Sequence, residues 1–257
     1  LEARALSRDN RGIIFQGDIK MFMHSPFKKT LAAQAIALGF SVIASAPDLA
    51  IPSTCNSYGA NTLSSSFSFT CYLYSGASLN VTSPGGMITA APAVVVYGNS
   101  STPALFVTNS GTLNGNISIS GTMSGGVTNN AGGAISGDID NKYNSVISGA
   151  SGITNNGLIT GNILNSGSIS NGGITNGGTI TGGIVSSGSI SNAGITNDGT
   201  ITGAISLYGG KGSSFSGSLT NTGQIGGGIS NFGTIGGSIS NSGTITGGIS
   251  NGVTVGG

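Results

Sequence analysis

The strongest constraint in this sequence is a 21-residue repeat that becomes plain from Gly157. Residues 157–177 are GLITGNILNSGSISNGGITNG, and residues 178–198 are GTITGGIVSSGSISNAGITND. Near the end the unit shortens to ten residues, as in GTIGGSISNS at 233–242 and GTITGGISNG at 243–252. One coil of about 20–21 residues, made from two related halves, accounts for both periods. Fixed periods of this length are typical of solenoid proteins.

The isoleucines predict how each coil is built. They are usually flanked by Ser, Thr or Gly residues, as in Thr200-Ile201-Thr202. That pattern is typical of a short strand with one β-branched side chain inward and two small polar side chains outward. Gly-Gly, Asn-Gly and Ser-Gly pairs between the strands favour sharp corners. The repeated positions are Ile159, Ile163, Ile169 and Ile174, then Ile180, Ile184, Ile190 and Ile195, then Ile201 and Ile205.

A single coil of this kind cannot bury its Ile side chains, whereas stacked coils bury them in continuous columns. Repeated Asn residues, Asn171 with Asn192 and Asn176 with Asn197, would add hydrogen-bonded ladders. The sequence therefore predicts an all-β fold, a parallel β-helix or β-solenoid, over residues 96–257. Low-complexity disorder is the alternative, but 37% hydrophobic residues and few charges argue against it.

The segment before the repeat has the features of a secretory signal. Residues 21–46 combine Lys28-Lys29, a mostly apolar run from Leu31 to Ile43, and a small-residue cleavage pattern ending at Ala46. Cleavage after Ala44 is a competing choice. A buried helix or a short transmembrane anchor is the alternative, but the run is shorter than the ~18 apolar residues that a span needs.

The rest of the N-terminal sequence divides into two parts. Residues 1–20 are predicted to be an unstructured upstream extension. Residues 47–95 are predicted to form a small N-terminal cap that contains a Cys55–Cys71 disulfide, because export leads to an oxidising compartment. A loop of this size would stabilise the fold by about 3 kcal/mol, and two free thiols are the alternative. Nearby aromatic residues are Tyr58, Phe67, Phe69, Tyr72 and Tyr74.

Two interruptions of the repeat are candidate recognition loops. One carries Lys142 and Tyr143, and the other carries Tyr208 and Lys211. Loops on a rigid scaffold are common sites of recognition, although plain insertions without a role are the alternative. Lys142 follows the first Ile of its coil by three residues and Lys211 follows its own by ten. We therefore expect the loops to leave from different corners and not to form one site.

The distribution of polar residues argues against catalysis. The one histidine, His24, lies in the predicted signal, and no Arg or Glu follows residue 46. A Ser-His-Asp or Cys-His system cannot be built from such a chain. Asp138 and Asp140 are too close in sequence for a glycosidase pair, and they offer at most one weak calcium site. We expect no enzyme, no cofactor and no metal site, and the near-neutral charge excludes nucleic acid as a partner.

A signal peptide, a Cys-containing cap and repeats such as GTITGGIVSSGSISN resemble the passenger region of Gram-negative autotransporters, over about residues 21–257. The resemblance implies a right-handed parallel β-helix that is exported through the periplasm and displayed at the cell surface, the outer membrane or outside the cell. It implies the export machinery and a C-terminal β-barrel translocator as partners, and many family members are adhesins. The sequence departs from the full pattern, because it ends at Gly257 without amphipathic strands for a barrel.

The sequence therefore favours a structural or adhesive passenger whose ligand lies on a host, a matrix or a neighbouring cell. Two other classes stay open. One is a surface-displayed enzyme whose catalytic part lies beyond residue 257. The other is a flat-faced solenoid that binds ice or associates with itself, with Thr-Ile-Thr at 179–181, 200–202 and 244–246 as its ordered face.

Overall fold

The structure is a computed structural model. It describes residues 8–9, 12–13, 55, 58–83, 85–100, 105–209, 214–253 and 256. The predicted signal peptide at 21–46 lies outside these residues. The chain divides into two units, Leu1–Ile51 and Pro52–Gly257. In the first unit the described residues form one antiparallel pair, Arg8–Asp9 with Gly12–Ile13, within the range predicted to be an extension.

The second unit is a β-solenoid, which confirms the predicted all-β class. Its strands stack in parallel, and the described residues contain no helix. Each full coil contributes one strand to each of four sheets. We call these sheets the first, second, third and fourth face, in the order in which the chain visits them.

The first three faces contain nine strands each. The first face consists of Ala60–Leu63, Ser78–Val81, Val107–Asn109, Gly126–Asn129, Gly152–Asn155, Ile174–Asn176, Ile195–Asn197, Leu219–Asn221 and Ile239–Asn241. The second face consists of Ser66–Phe67, Met87–Ile88, Thr112–Leu113, Ala134–Ile135, Leu158–Ile159, Thr179–Ile180, Thr200–Ile201, Gln224–Ile225 and Thr244–Ile245. The third face consists of Cys71–Leu73, Val94–Val96, Ile117–Ile119, Ile139–Asn141, Ile163–Asn165, Ile184–Ser186, Ile205–Leu207, Ile229–Asn231 and Ile249–Asn251.

The fourth face is shorter than the others. Its five strands are Asn99–Ser100, Thr122–Met123, Val146–Ile147, Ser168–Ile169 and Ser189–Ile190. Single bridges at Phe215 and Ile235 continue it through two further coils. The insertion before Phe215 therefore shortens one face without breaking the stack.

The strand pattern explains the core. The two-residue strands of the second face bury one side chain, as Thr179–Ile180 buries Ile180 completely. The three-residue strands bury two, as Ile174–Asn176 buries both ends and leaves Thr175 outward. The sequence predicts four inward Ile positions in each coil. A middle coil has more inward positions than that, because the third residue of a three-residue strand, an Asn or a Ser, is also buried. Burying each Ile side chain contributes roughly 1.5–3 kcal/mol.

Inward Asn side chains form a column at the corner between the first and second faces, which we call the asparagine ladder. In each step the Nδ2 atom donates to the Oδ1 atom of the next coil at 2.7–2.8 Å. The ladder consists of Asn109, Asn129, Asn155, Asn176, Asn197, Asn221 and Asn241. Six of these side chains are completely buried, and an unpaired amide there would cost about 1–3 kcal/mol.

The predicted ladder of Asn176 with Asn197 is confirmed, whereas that of Asn171 with Asn192 is wrong. Asn171 and Asn192 are exposed and donate instead to the backbone carbonyls of Ser148 and Ser170. The difference has a geometric cause. Asn176 ends a strand and points inward, two residues after a buried Ile, while Asn171 lies beyond the end of its strand.

Coil length follows the predicted repeat where the repeat is most regular. Successive ladder residues are 21 apart from Asn155 to Asn197. They are 20 apart between Asn221 and Asn241, 24 between Asn197 and Asn221, and 26 between Asn129 and Asn155. Extra residues enter at corners while the strands stay paired, so the columns of buried side chains are not interrupted.

The solenoid also extends further toward the N-terminus than the sequence predicts. Ala60–Leu63 pairs with Ser78–Val81 on the first face, and Cys71–Leu73 pairs with Val94–Val96 on the third. These residues form coils of the same stack, so the boundary expected between residues 95 and 96 does not separate two folds. Cys55 and Cys71 form a disulfide with their Cα atoms 5.3 Å apart, which ties the chain before Ala60 to the third face.

Candidate functional site

The outer surface of the solenoid is nearly uncharged. Over the part that the structure describes from Cys55 onward, the charged residues are Asp138, Asp140, Lys142 and Asp198. Most outward positions carry Ser, Thr or Gly. Several large exposed side chains collect along one edge, while Phe69, Phe106 and Leu158 are exposed elsewhere.

All six tyrosines of the chain lie at or beside the corner between the third and fourth faces. Tyr74, Tyr97 and Tyr208 each directly follow the last residue of a third-face strand. Phe232 occupies the same place one coil after Tyr208. We call this surface the tyrosine edge, and it consists of Tyr58, Tyr72, Tyr74, Tyr97, Tyr143, Tyr208 and Phe232.

The tyrosine edge begins with a stack of four rings. The ring centroids of Tyr58 and Tyr74 are 5.2 Å apart, and those of Tyr74 and Tyr97 are 5.7 Å apart. Tyr72, which points outward from the third face, lies 6.3 Å from Tyr97 with nearly parallel planes. Parallel stacking places equivalent residues of adjacent coils about 4.8 Å apart, which is close to a ring-stacking distance.

A second, smaller stack lies further along the same edge. Tyr208 and Phe232 have centroids 5.6 Å apart and planes inclined by 10°. Their side chains are 48% and 51% exposed, and Tyr97 in the first stack is 48% exposed. Half-exposed aromatic rings on a surface of small polar residues are typical of binding sites.

A stretch of smaller residues separates the two stacks. The strand pairings place Ser120, Lys142, Ser166 and Ser187 at successive coils between Tyr97 and Tyr208. Five coil steps separate these two tyrosines, which amounts to about 24 Å. We call this stretch the polar gap, and Tyr143, 79% exposed, stands within it.

The candidate recognition residues lie on this edge as far as the structure describes them. Lys142 and Tyr143 form a turn after the strand Ile139–Asn141, and Lys142 pairs with the carboxylate of Asp140. Tyr208 follows the strand Ile205–Leu207. Lys211 lies outside the described residues.

The corner of Tyr208 differs from the prediction. Asn141 and Leu207 are aligned through the third-face pairings, so Lys142 and Tyr208 leave from the same corner, three coils apart. The prediction counted residues from the first Ile of the coil to Lys211. That count misplaces the start of the loop, because the residues that make this coil longer come only after Tyr208. At about 14 Å the two residues share an edge but do not touch.

A short motif in the sequence could have revealed the edge. Three times an aromatic residue stands between a strand end and a glycine, in Val96-Tyr97-Gly98, Leu207-Tyr208-Gly209 and Asn231-Phe232-Gly233. At Gly209 an added Cβ atom would lie 2.7 Å from the Cα of Gly233, so the backbones approach closely there. The motif marks corners at which rings of adjacent coils stack.

The edge has a small pocket beside Tyr208. It is lined by Leu207, Phe215 and Gly233 among others, and its volume of about 10 Å³ is room for a single water molecule. A ligand larger than water does not fit inside this pocket and would lie along the surface beside it.

The acidic side chains have structural partners. Asp138 Oδ1 accepts hydrogen bonds from the backbone N and the Nδ2 of Asn162, at 2.6 and 3.2 Å. Asp198 Oδ1 accepts a bond from the hydroxyl of Thr222. Among the described residues, no group of three or more His, Cys, Asp or Glu side chains is placed to hold a metal ion. Each carboxylate thus links its coil to the following one, or pairs with Lys142 in the case of Asp140.

No helix within the described ranges has the length and apolar character needed to cross a membrane. No protein family, no curated protein and no solved structure matches this chain. What the fold itself defines is the class: a repeat protein of the β-solenoid type, with four faces and a hydrogen-bonded core.

Proposed function

We propose that the chain is the displayed passenger part of an autotransporter-type protein and acts as a structural and adhesive β-solenoid. The observation that supports this role is the tyrosine edge on a rigid stack of coils. Exposed aromatic rings lose little conformational entropy when they bind, and they are enriched at interfaces. A scaffold that orders these rings along one edge is suited to contact.

Two features support a route to the cell surface. Residues 21–46 have the pattern of a secretory signal, and the Cys55–Cys71 disulfide is of the kind that persists in oxidising compartments. The partners that we propose are the export machinery, a C-terminal β-barrel translocator and a ligand on a host, a matrix or a neighbouring cell. We propose no catalytic role.

Display can be tested by fusing residues 1–257 to the barrel of an established autotransporter in a Gram-negative host. We expect the chain on intact cells, accessible to antibody and added protease, with Cys55 and Cys71 oxidised. A matched variant with Lys28→Glu and Lys29→Glu should stay inside, because the basic start of the signal is lost. Retention of the unaltered chain in the cytoplasm, with reduced cysteines, would contradict the proposal.

A second candidate function rests on the first face. The outward residues Thr108, Thr128, Thr154, Thr175, Thr196 and Thr220 are aligned by the strand pairings of six successive coils. Their methyl and hydroxyl groups repeat about every 4.8 Å. A regular array of this kind is suited to contact with an ordered surface such as ice.

This alternative has a direct test in the freezing behaviour of the purified chain. If the threonine column binds ice, the chain should lower the freezing point below the melting point. The variant Thr175→Lys should abolish this difference between the two temperatures. Ser206→Lys, which changes an outward residue of the third face, is the control. If the unaltered chain shows no difference between the freezing point and the melting point, the ice-binding function is excluded.

A further inference from the structure

We propose that the tyrosine edge binds a neutral, extended glycan that lies along the stacking direction of the coils. The inference deepens the adhesive role and rests on it, since it names the chemical class of the ligand. It draws on the ring stacks, the polar gap and the pairing of Lys142 with Asp140 on the edge.

The ring chemistry of the edge suits sugars. A pyranose ring has apolar C–H faces and a rim of hydroxyl groups, and tyrosine offers an apolar ring with a polar tip. At this edge Tyr97 and Tyr208 keep about half of their surface exposed, and Tyr58 is 71% exposed. Each ring thus keeps exposed apolar area against which the face of a sugar can stack.

The charges on the edge favour a neutral ligand. Recognition of sulfates, phosphates or carboxylates depends on Arg and Lys side chains that form charged hydrogen bonds. Lys142 is the basic residue on the described part of the edge, and it is paired with Asp140. Among the residues of the edge that the structure describes, an acidic polysaccharide or an anionic membrane would therefore find no cluster of positive charge.

The spacing favours a chain over a single sugar. The two ring stacks are separated by about 24 Å, and the polar gap between them carries three serines and Tyr143. A glycan of several units could stack at both ends and donate hydrogen bonds to the gap. Because two weak sites on one ligand act together, the polymer would bind more tightly than either stack alone.

A second copy of the chain is the competing occupant. A stable protein–protein interface buries about 800 Å² on each partner around a continuous apolar centre. The tyrosine edge is instead divided by Ser120, Ser166 and Ser187, which lie at its middle. A glycan, which has hydroxyl groups along its whole length, fits this divided edge better.

The test uses the full chain on columns whose matrix carries a neutral polysaccharide, with hydroxyethyl cellulose, galactomannan and glycogen as separate probes. Chromatography is used because a chain of net charge +1 hardly migrates in a native gel. We expect at least one probe to slow elution. The double variant Tyr97→Ser/Tyr208→Ser should weaken that effect about tenfold, since one ring is lost from each stack. Leu158→Ser is the matched control, because Leu158 is an exposed apolar residue of the second face, and it should leave binding unchanged.

Further measurements distinguish loss of glycan binding from loss of folding and from self-association. The double variant Tyr97→Phe/Tyr208→Phe keeps the rings and should retain most of the binding, and circular dichroism checks that every variant is folded. The proposal is overturned if no neutral probe slows the chain, or if the Ser variants bind as well as the unaltered chain. It is also overturned if only heparin slows it, or if the edge variants change the sedimentation coefficient from dimer to monomer. Because purified protein is used, failure of surface display would not affect this result.

Discussion

Two corners of the same coil behave in opposite ways. At the corner between the first and second faces, seven coils in a row place an Asn inward, and each amide bonds to the next. At the corner between the third and fourth faces the outward residue changes from coil to coil, from Tyr97 to Ser120 and Lys142. The inward residue changes there as well, from Ile119 to Asn141.

The difference shows which positions the stack itself determines. A buried amide finds its side-chain partners in the adjacent coils, so one substitution in the asparagine ladder removes an amide–amide bond from each of two neighbours. At the other corner the outward side chains of adjacent coils meet in the ring stacks and in one long hydrogen bond, from the Ser187 hydroxyl to the Ser166 hydroxyl at 3.5 Å. The first corner links the coils through buried amides, whereas the stack leaves the outward residue of the second corner free to vary.

The largest expected effect lies at the first corner. A Cβ atom added at Gly178 would lie 2.1 Å from the backbone oxygen of Gly157, so Gly178→Ala should destabilise the solenoid by about 3 kcal/mol. The adjacent Gly177→Ala is the control, since its Cβ would meet only the Asn156 side chain, at 2.8 Å. Guanidinium unfolding followed by circular dichroism measures both. Equal midpoints for the two variants would contradict close backbone approach at this corner.

The next effect concerns the amide bonds themselves. Asn176→Ala removes the acceptor of Asn155 and the donor to Asn197, and we expect a loss of about 2 kcal/mol. Asn171→Ala removes one exposed bond to a backbone carbonyl and should cost at most about 0.5 kcal/mol. Thermal unfolding of both variants tests this. If Asn171→Ala were the more harmful of the two, the exposed corner would be the one that holds the coils.

The ring stacks of the tyrosine edge should contribute less. A double-mutant cycle of Tyr208→Leu and Phe232→Leu should give a coupling energy of about 1 kcal/mol, which is typical of stacked aromatic pairs. Urea unfolding of the four proteins in the cycle provides the measurement. A coupling as large as the ladder effect would mean that the edge is primarily structural.

The smallest effect is expected in the polar gap. Lys142→Gln breaks a surface ion pair with Asp140 and should change stability by no more than about 0.5 kcal/mol, in low or high salt. Thermal unfolding at two ionic strengths checks this. A markedly larger loss that disappears in high salt would show that this pair stabilises the turn that holds Tyr143.

The regular coils could be predicted from the sequence because their signals are local. An Ile between small polar residues and a Gly pair at each corner indicate both the strand and its inward side chain. Applied two residues past an Ile, the same local rule predicts both Asn176 and Asn171 as inward. It is right for Asn176 and wrong for Asn171, because the strand of Ile169 ends before it reaches Asn171.

The first coils and the tyrosine edge were harder to predict for a different reason. Around Leu63, Phe67 and Cys71 the inward residues are no longer Ile and the repeat is faint, although they pack in the same columns. The rings of Tyr97 and Tyr208 are more than one hundred residues apart in sequence. Only the register of the paired strands shows that both rings belong to one edge. Sequence spacing alone does not give this register, because the corners of different coils contain different numbers of residues.

The asparagine ladder has a consequence for the electric field of the solenoid. Every step runs the same way, with the amide NH₂ group of one coil pointing to the oxygen of the coil that follows, from Asn109 to Asn241. The shorter series Asn141, Asn165 and Ser186 runs in the same direction. Backbone dipoles of a sheet largely cancel, whereas these side-chain dipoles add and polarise one another. The coil of Asn241 is therefore the positive end of an almost uncharged stack, and the two ends differ in the sign of the ion that they attract.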